Sequence, residues 1–208
     1  MGLLLAADRR QRTVPALPRR AGNAAAWPID GLPGLLVVQV RRFADPRGVF
    51  AETWSRRDFA ELGIAEDFVQ DNWSRSEAAG TVRGLHFQRP PQAQAKLVRV
   101  LRGAILDVVV DLRRSSPGFR RHAAVKLEAD DGRMLYVPPG FAHGFCTLRP
   151  DTEVAYKVDA PYAPDCDGGI AWDDPSLGID WPVGRGGAVL SDKDAALPRL
   201  ADIAPVFP

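Results

Sequence analysis

The sequence predicts an all-β protein, a barrel or a sandwich of many short strands with a few short helices beside it. Short apolar or alternating runs, each suited to one strand, occur at residues 35–40, 95–101, 104–112, 122–127, 134–137 and 152–158. Turn-forming residues separate them, as in Asp130-Asp131-Gly132 and Pro138-Pro139-Gly140. Helices do not alternate with these runs, and no glycine-rich strand-to-helix turn is present, so a dinucleotide-binding or P-loop fold is not indicated.

Two short helices are predicted outside the strand-like runs. The first covers residues 56–62, because Ser55 can cap its N-terminus and Gly63 can end it. The second is expected to follow Ser191, near the end of the chain. Both would flank the β-structure.

One domain is expected, because 208 residues are enough for a single substantial core. We assign residues 31–208 to this domain. Residues 1–30 are rich in Ala, Arg and Pro and have no clean periodicity. We interpret them as an N-terminal extension outside the core that can be partly flexible.

Charge and cysteine content argue against several classes of protein. The net charge is +1 with acids and bases interspersed, so no broad basic field for nucleic acid or an anionic membrane is expected. Cys146 and Cys166 are too few for a disulfide framework, which favours a reducing, cytoplasmic location. No run of about 18 apolar residues is present for a membrane span, and the apolar run at residues 3–7 is too short for a secretion signal.

Three polar side chains share strand faces with apolar neighbours. By strand alternation, Lys96, His143 and Tyr156 each point the same way as the apolar residues two positions away. A lone His or Tyr in this setting is more often a hydrogen-bonded core residue than a functional one. An inward ammonium is costly without a partner or a wet cavity, so Lys96 favours a pocket inside a barrel.

Alternation places Arg83 and His86 on opposite faces of their strand. Only a bulge or a strand end at Gly84 would bring the two side chains together. The sequence pattern by itself does not establish such a bulge.

The pattern Pro138-x-Gly140-x-x-His143 resembles the second motif of the cupins, β-barrels in which that histidine often binds a metal. The first cupin motif would add two His and a Glu, but only His86 stands there. His122 lies beside two arginines, where a solvated or packing role is expected. We therefore predict a barrel without a metal.

Eight fragments, in order, resemble those of the dTDP-4-dehydrorhamnose 3,5-epimerase family. They are residues 47–52 (RGVFAE), 70–72 (QDN), 83–86 (RGLH), 138–145 (PPGFAHGF), 156–157 (YK), 172–175 (WDDP), 178–182 (GIDWP) and 190–194 (LSDKD). The resemblance covers roughly residues 35–194. It implies a cupin-type jelly-roll β-barrel, usually a homodimer, with no metal or organic cofactor.

The resemblance also implies a reaction, which is epimerisation at C3 and C5 of dTDP-4-dehydro-6-deoxy-D-glucose to give dTDP-4-dehydro-L-rhamnose. Inversion beside a ketone needs a base, a group that stabilises the enolate, and an acid on the opposite face. By resemblance, His86 is the base and Asp194 orients its imidazole. Lys96 lies near the C4 oxygen, and Tyr156 is the proton donor.

Further positions match residues that bind the sugar nucleotide in this family. Arg47 and Arg83 resemble the arginines that bind the diphosphate, and Tyr162 stands where an aromatic ring stacks on thymine. The other matching positions are Glu52, Gln70, Asn72, His143 and Lys193. Asp167 replaces the usual Glu. Asp107, on an apolar strand face, could be a buried partner of a His or a Lys and is not assigned a catalytic role.

Three alternatives stay open at this point. A related enzyme could epimerise only C3 or only C5, in the synthesis of a specialised deoxysugar. A barrel of this kind could also bind a sugar nucleotide without turnover. The third alternative is a metal-dependent cupin, and it rests only on the motif around His143.

Overall fold

A computed structural model describes residues 17–208 of the chain. The strands are β1 (Arg19–Ala21), β2 (Ala24–Pro28), β3 (Leu36–Val40), β4 (Phe43–Asp45), β5 (Gly48–Phe50), β6 (Gln70–Ser76), β7 (Val82–Gln88), β8 (Lys96–Arg102), β9 (Ala104–Asp111), β10 (His122–Glu128), β11 (Arg133–Val137), β12 (Phe141–Thr147), β13 (Thr152–Val158) and β14 (Asp167–Gly169). The α-helices are α1 (Arg56–Leu62) and α2 (Asp192–Ala195). Short 3-10 turns occur at Pro164–Cys166 and Leu200–Asp202. None of the described helices is long and apolar enough to cross a membrane.

Two antiparallel sheets face each other and form a jelly-roll barrel. The larger sheet has the order β1-β2-β3-β11-β8-β13-β6, and the smaller has the order β10-β9-β12-β7-β14. Their inner faces meet in one core, which includes Leu35, Val98, Ile105, Val109, Leu135, Phe141 and Phe145. Burial of these side chains holds the sheets together. The predicted all-β architecture is therefore confirmed.

The six predicted strands are all present, with ends that differ by one residue or not at all. Strand β6 has no apolar run, because its sequence is QDNWSRS. The pattern is polar because one face of β6 points into the barrel interior beside Tyr156 while the other is solvent-exposed. The short strands β4 and β5 pair only with each other, in a separate hairpin.

Part of the predicted N-terminal extension belongs to the larger sheet instead. Strands β1 and β2 pair with each other, and β2 pairs with β3. Ala21, Ala24 and Ala26 are buried against the helix α1 side of the sheet. Alanine has a low intrinsic preference for strands, so packing rather than local pattern places these residues. Residues 1–16 of the predicted extension lie outside the described part of the chain.

Both predicted helices are confirmed, and each has a side-chain cap at its N-terminus. The hydroxyl of Ser55 accepts a hydrogen bond from the Asp58 amide, and Gly63 ends α1 with a left-handed φ of 94°. The hydroxyl of Ser191 caps α2 by accepting from the Asp194 amide. This second cap matters for the interior of the barrel, because α2 brings Asp194 against strand β7.

Candidate active site

The polar side chains inside the barrel come from both sheets. Strands β7 and β12 of the smaller sheet carry His86 and His143 as direct cross-strand neighbours. Strands β8 and β13 of the larger sheet carry Lys96 and Tyr156, with the ammonium nitrogen 5.9 Å from the centre of the phenol ring. These four side chains form a polar group within an otherwise apolar interior.

A bulge in β7 gives His86 its orientation. His86 lies opposite His143, and Arg83 lies opposite Phe145, so β7 contains one more residue than β12 between the two pairs. Because His143 and Phe145 share a face, the bulge turns Arg83 and His86 to that same face. The bulge that alternation required at Gly84 is therefore present.

Close packing explains why the bulge needs glycine. Gly84 has a φ of 116°, a conformation that L-residues with a side chain rarely adopt. A methyl group there would lie 2.7 Å from both the Cα of Gly144 and the carbonyl oxygen of His143. The backbone of β7 thus approaches β12 closely next to His86.

His86 and Asp194 form a hydrogen-bonded dyad. The distance from His86 Nε2 to Asp194 Oδ1 is 2.5 Å, and Asp194 is buried. Burial acts to raise the pKa of Asp194, but the bond with His86, together with the Gly84 amide and the Ser191 hydroxyl, holds that pKa below its ordinary value. A carboxylate at Nε2 favours the tautomer protonated there, which leaves Nδ1 able to accept a proton.

A second histidine–carboxylate pair lies deeper in the barrel. His143 Nε2 is 2.6 Å from Asp107 Oδ1, and both residues are buried. The sequence indicates that Asp107 could be a buried partner of either a His or a Lys. In the structure its hydrogen-bonded partner is His143. The only signal for this pair was an aspartate on an apolar strand face, which does not identify the histidine that it contacts.

Burial changes the proton affinities of Lys96 and Tyr156. Loss of solvent lowers the pKa of Lys96 to about 8, although Asp107 and Asp167 act in the opposite direction. Burial raises the pKa of Tyr156, and the nearby Arg83 opposes this shift. The phenol therefore stays protonated at neutral pH, while the lysine can lose its proton just above it.

Most of the other predicted binding residues surround this group. Gln70 donates to Asn72 Oδ1 at 2.8 Å and accepts from the Tyr162 amide at 3.1 Å. Tyr162 is 56% exposed. Lys193, which directly precedes Asp194 in the chain, forms an ion pair with Asp167.

Arg83 extends from the smaller sheet to the edge of the larger one. Its guanidinium donates to the Ser76 hydroxyl and to the Arg75 carbonyl oxygen, both at 3.2 Å. Arg83 is exposed, so part of its planar fork remains available for an anion.

Arg47 and Glu52 lie on or next to the β4–β5 hairpin and not among the polar side chains inside the barrel. Arg47 lies at the turn of the β4–β5 hairpin, where it binds Asp45 at 2.5 Å and is 90% exposed. Glu52 follows the hairpin and is also exposed. Among residues 17–208, no group of three or more His, Cys, Asp or Glu side chains is arranged to hold a metal ion.

Comparisons with known proteins agree in both sequence and fold. The sequence profile of the dTDP-4-dehydrorhamnose 3,5-epimerase family matches residues 30–202. A curated dTDP-4-dehydrorhamnose 3,5-epimerase of Sinorhizobium fredii is 47% identical over 175 residues, which cover 82% of this chain and 87% of the relative.

Two solved structures illustrate the similarity in fold. The Bacillus anthracis dTDP-4-dehydrorhamnose 3,5-epimerase with TDP and pyrophosphate bound has a TM-score of 0.82 and 48% identity, over 85% of this chain and 99% of that one. A Legionella pneumophila dTDP-6-deoxy-D-glucose-3,5-epimerase in complex with dTDP-4-keto-L-rhamnose has a TM-score of 0.78 and 43% identity, over 82% and 89%. The fold is thus the cupin-type jelly roll of these epimerases.

The close approach at Gly84 gives a testable prediction. We expect Gly84→Ala to lower the free energy of unfolding by on the order of 1–3 kcal/mol, because a methyl group meets two backbone atoms and the positive φ becomes strained. Urea unfolding measures this change. Gly186→Ala is the matched control, since no atom lies within 4 Å of the added methyl group. Equal stability of the two variants would contradict this account of the bulge.

Proposed function

Because the chain belongs to the dTDP-4-dehydrorhamnose 3,5-epimerase family, we propose that it epimerises C3 and C5 of dTDP-4-dehydro-6-deoxy-D-glucose to give dTDP-4-dehydro-L-rhamnose. One observation carries the proposal. His86 is carried by the smaller sheet and Tyr156 by the larger, so the proposed base and the proposed acid stand on opposing sheets of the barrel. Inversion requires proton removal and proton return on opposite faces of the same carbon.

In the proposed mechanism, His86 removes the proton next to the C4 ketone. Neutral imidazole suits this step because its pKa lies near the working pH. The bond to Asp194 supports it by fixing the ring and by stabilising the imidazolium that forms. The electron pair of the broken C–H bond moves into the ring as an enolate with its charge on the C4 oxygen.

Lys96 and Tyr156 complete the reaction. The ammonium of Lys96 stabilises the enolate oxygen, and it is best suited to this while it remains protonated, below about pH 8. Tyr156 then returns a proton to the opposite face of the carbon. A sugar that turns in the pocket between the two transfers allows one base and one acid to serve both C3 and C5.

The nucleotide part of the substrate is proposed to bind along the rim. The exposed ring of Tyr162 can stack on thymine, and the fork of Arg83 can bind diphosphate oxygens. The remaining contacts are assigned to Gln70, Asn72, His143, Asp167 and Lys193. Because Asp167 already pairs with Lys193, a side chain shorter than Glu can still position that cation.

The test of this function is NMR of dTDP-4-dehydro-6-deoxy-D-glucose with the protein in deuterated water. We expect both the C3 and the C5 protons to be replaced by deuterium, and His86→Asn to slow both exchanges by about 10²-fold or more, as expected for loss of a general base. Replacement at one carbon only would point to a single-carbon epimerase. Binding without any exchange would instead indicate a barrel without turnover.

We also infer that the protein acts as a homodimer, with Arg47 and Glu52 serving the site of the second copy. The β4–β5 hairpin pairs with no other strand of the described chain and exposes Phe43, Val49 and Phe50. Exposed apolar side chains gathered on one projecting element favour an interface. A second copy would cover this hairpin and give the two charged residues a ligand to bind.

Sedimentation velocity tests the dimer. We expect the wild-type protein to sediment as a dimer at micromolar concentration and Phe50→Asp to shift it toward the monomer, because a carboxylate would be buried in the interface. Val189→Asp replaces another exposed apolar residue, which lies away from the hairpin and is 49% exposed compared with 68% for Phe50, and it should leave the dimer intact. A monomeric wild-type protein would refute the proposal.

The reaction is further proposed to take place in the cytoplasm. Both cysteines, Cys146 and Cys166, are free thiols, which suits a reducing compartment. Cell fractionation that found the protein outside the cytoplasm would contradict this assignment.

A further inference from the structure

The loop that carries Tyr162 is not held by backbone hydrogen bonds. Residues 159–163 connect β13 to the 3-10 turn at Pro164–Cys166 and have no regular secondary structure. Within the described chain, no backbone group of residues 160–162 is bonded to another backbone group. Side chains from other elements must therefore fix this loop if Tyr162 is to keep one position.

Gln88, at the end of β7, holds the loop on both sides of Tyr162. Its side chain donates to the carbonyl oxygen of Pro161 at 3.1 Å and accepts from the amide of Ala163 at 2.8 Å. It also donates to the carbonyl oxygen of Gln92 at 2.7 Å. A primary amide has two hydrogens to donate and one oxygen that accepts, so each of these groups of the buried Gln88 side chain has a partner.

Two more glutamines hold the loop from the other sheet. Gln94, just before β8, donates to the carbonyl oxygen of Ala160 at 2.7 Å. Gln70, the first residue of β6, accepts from the amide of Tyr162 at 3.1 Å. Each of residues 160–163 thus has one backbone group bonded to a glutamine. Because β6 and β8 belong to the larger sheet and β7 to the smaller, the loop is tied to both sheets.

We propose that Gln88 and Gln94 are positioning residues for nucleotide binding, which fix the loop so that the ring of Tyr162 is in place before the base arrives. Ordering a loop during binding costs free energy, and a loop that is fixed beforehand avoids that cost. Neither glutamine has to touch the nucleotide for this effect. The inference rests on the proposed function, in which Tyr162 stacks on thymine.

A double-mutant cycle with dTDP as the probe tests this role. By calorimetry we expect Gln88→Met to raise the Kd of dTDP by about tenfold, because a ring on a loosened loop loses much of its stacking on the base. In a Tyr162→Ala background the same change should alter the Kd by less than about twofold, since no ring is left to position. A glutamine with a merely structural role would weaken binding equally in both backgrounds, and that result would overturn the proposal.

Gln39→Met is the matched control. Gln39 also donates to a backbone carbonyl, that of Asp131 at 2.6 Å, but in the turn between β10 and β11. The control should therefore leave the Kd of dTDP unchanged. A loss of affinity in Gln39→Met as large as that in Gln88→Met would contradict a specific role for the loop.

Gln94→Met keeps the proposal testable if Gln88→Met does not fold. In the described chain Gln94 is only partly buried and donates one hydrogen bond to the loop. We expect a rise in the Kd of dTDP of about threefold, as for the loss of one hydrogen bond, which again disappears in the Tyr162→Ala background. An unchanged Kd would overturn the proposal.

Amide hydrogen exchange, followed by ¹⁵N NMR without any ligand, separates this inference from the proposed function. We expect Gln88→Met to speed exchange of the Ala163 amide by about tenfold or more, because that amide loses its acceptor. Unchanged exchange would overturn the proposal. A loop that responds in this way in a protein whose wild type does not bind dTDP would contradict the proposed function, and with it the role of the loop in nucleotide binding.

Discussion

The whole site depends on placing charged groups inside an apolar barrel. A charge in such an interior is costly unless another group compensates it, and the chain meets this constraint with carboxylates from distant parts of the sequence. Asp194 arrives on α2 and binds His86, while Asp107 stands on β9 and binds His143. Lys96 has no salt bridge in the described chain, and burial lowers its pKa to about 8. In the proposed reaction, the negatively charged C4 oxygen of the substrate can compensate the charge of Lys96.

The arrangement of the strands determines from which side each group acts in the proposed reaction. Because the two sheets face each other, His86 on β7 and Tyr156 on β13 stand on opposing sheets, and in the proposed mechanism they act on the sugar from different sides. The bulge at Gly84 is needed as well, since regular alternation would turn Arg83 and His86 to opposite faces. The proposed inversion of configuration therefore depends on this bulge, because the bulge sets the face to which His86 points.

Much of the fold could be predicted from the sequence, because six strands carry apolar runs and both helices carry clear caps. Strand β6 could not, since a strand with one face on a polar site has no apolar period. Strands β1 (RRA) and β2 (AAAWP) were missed because burial against the sheet and α1, rather than local preference, determines their conformation. The pairing of Asp107 with His143 depends on strand register, which a single sequence does not supply. His86 and Asp194 were paired only through family resemblance, because 108 positions separate them.

The central claim is that base and acid act from opposite sides of the sugar, and Tyr156→Phe tests it most directly. The variant would be incubated with dTDP-4-dehydro-6-deoxy-D-glucose in deuterated water, and both deuterium content and configuration at C3 and C5 would be followed by NMR. The account predicts that deuterium still enters, with the original configuration retained, because His86 can remove and return a proton on one face only. Inversion at the wild-type rate by this variant would contradict it.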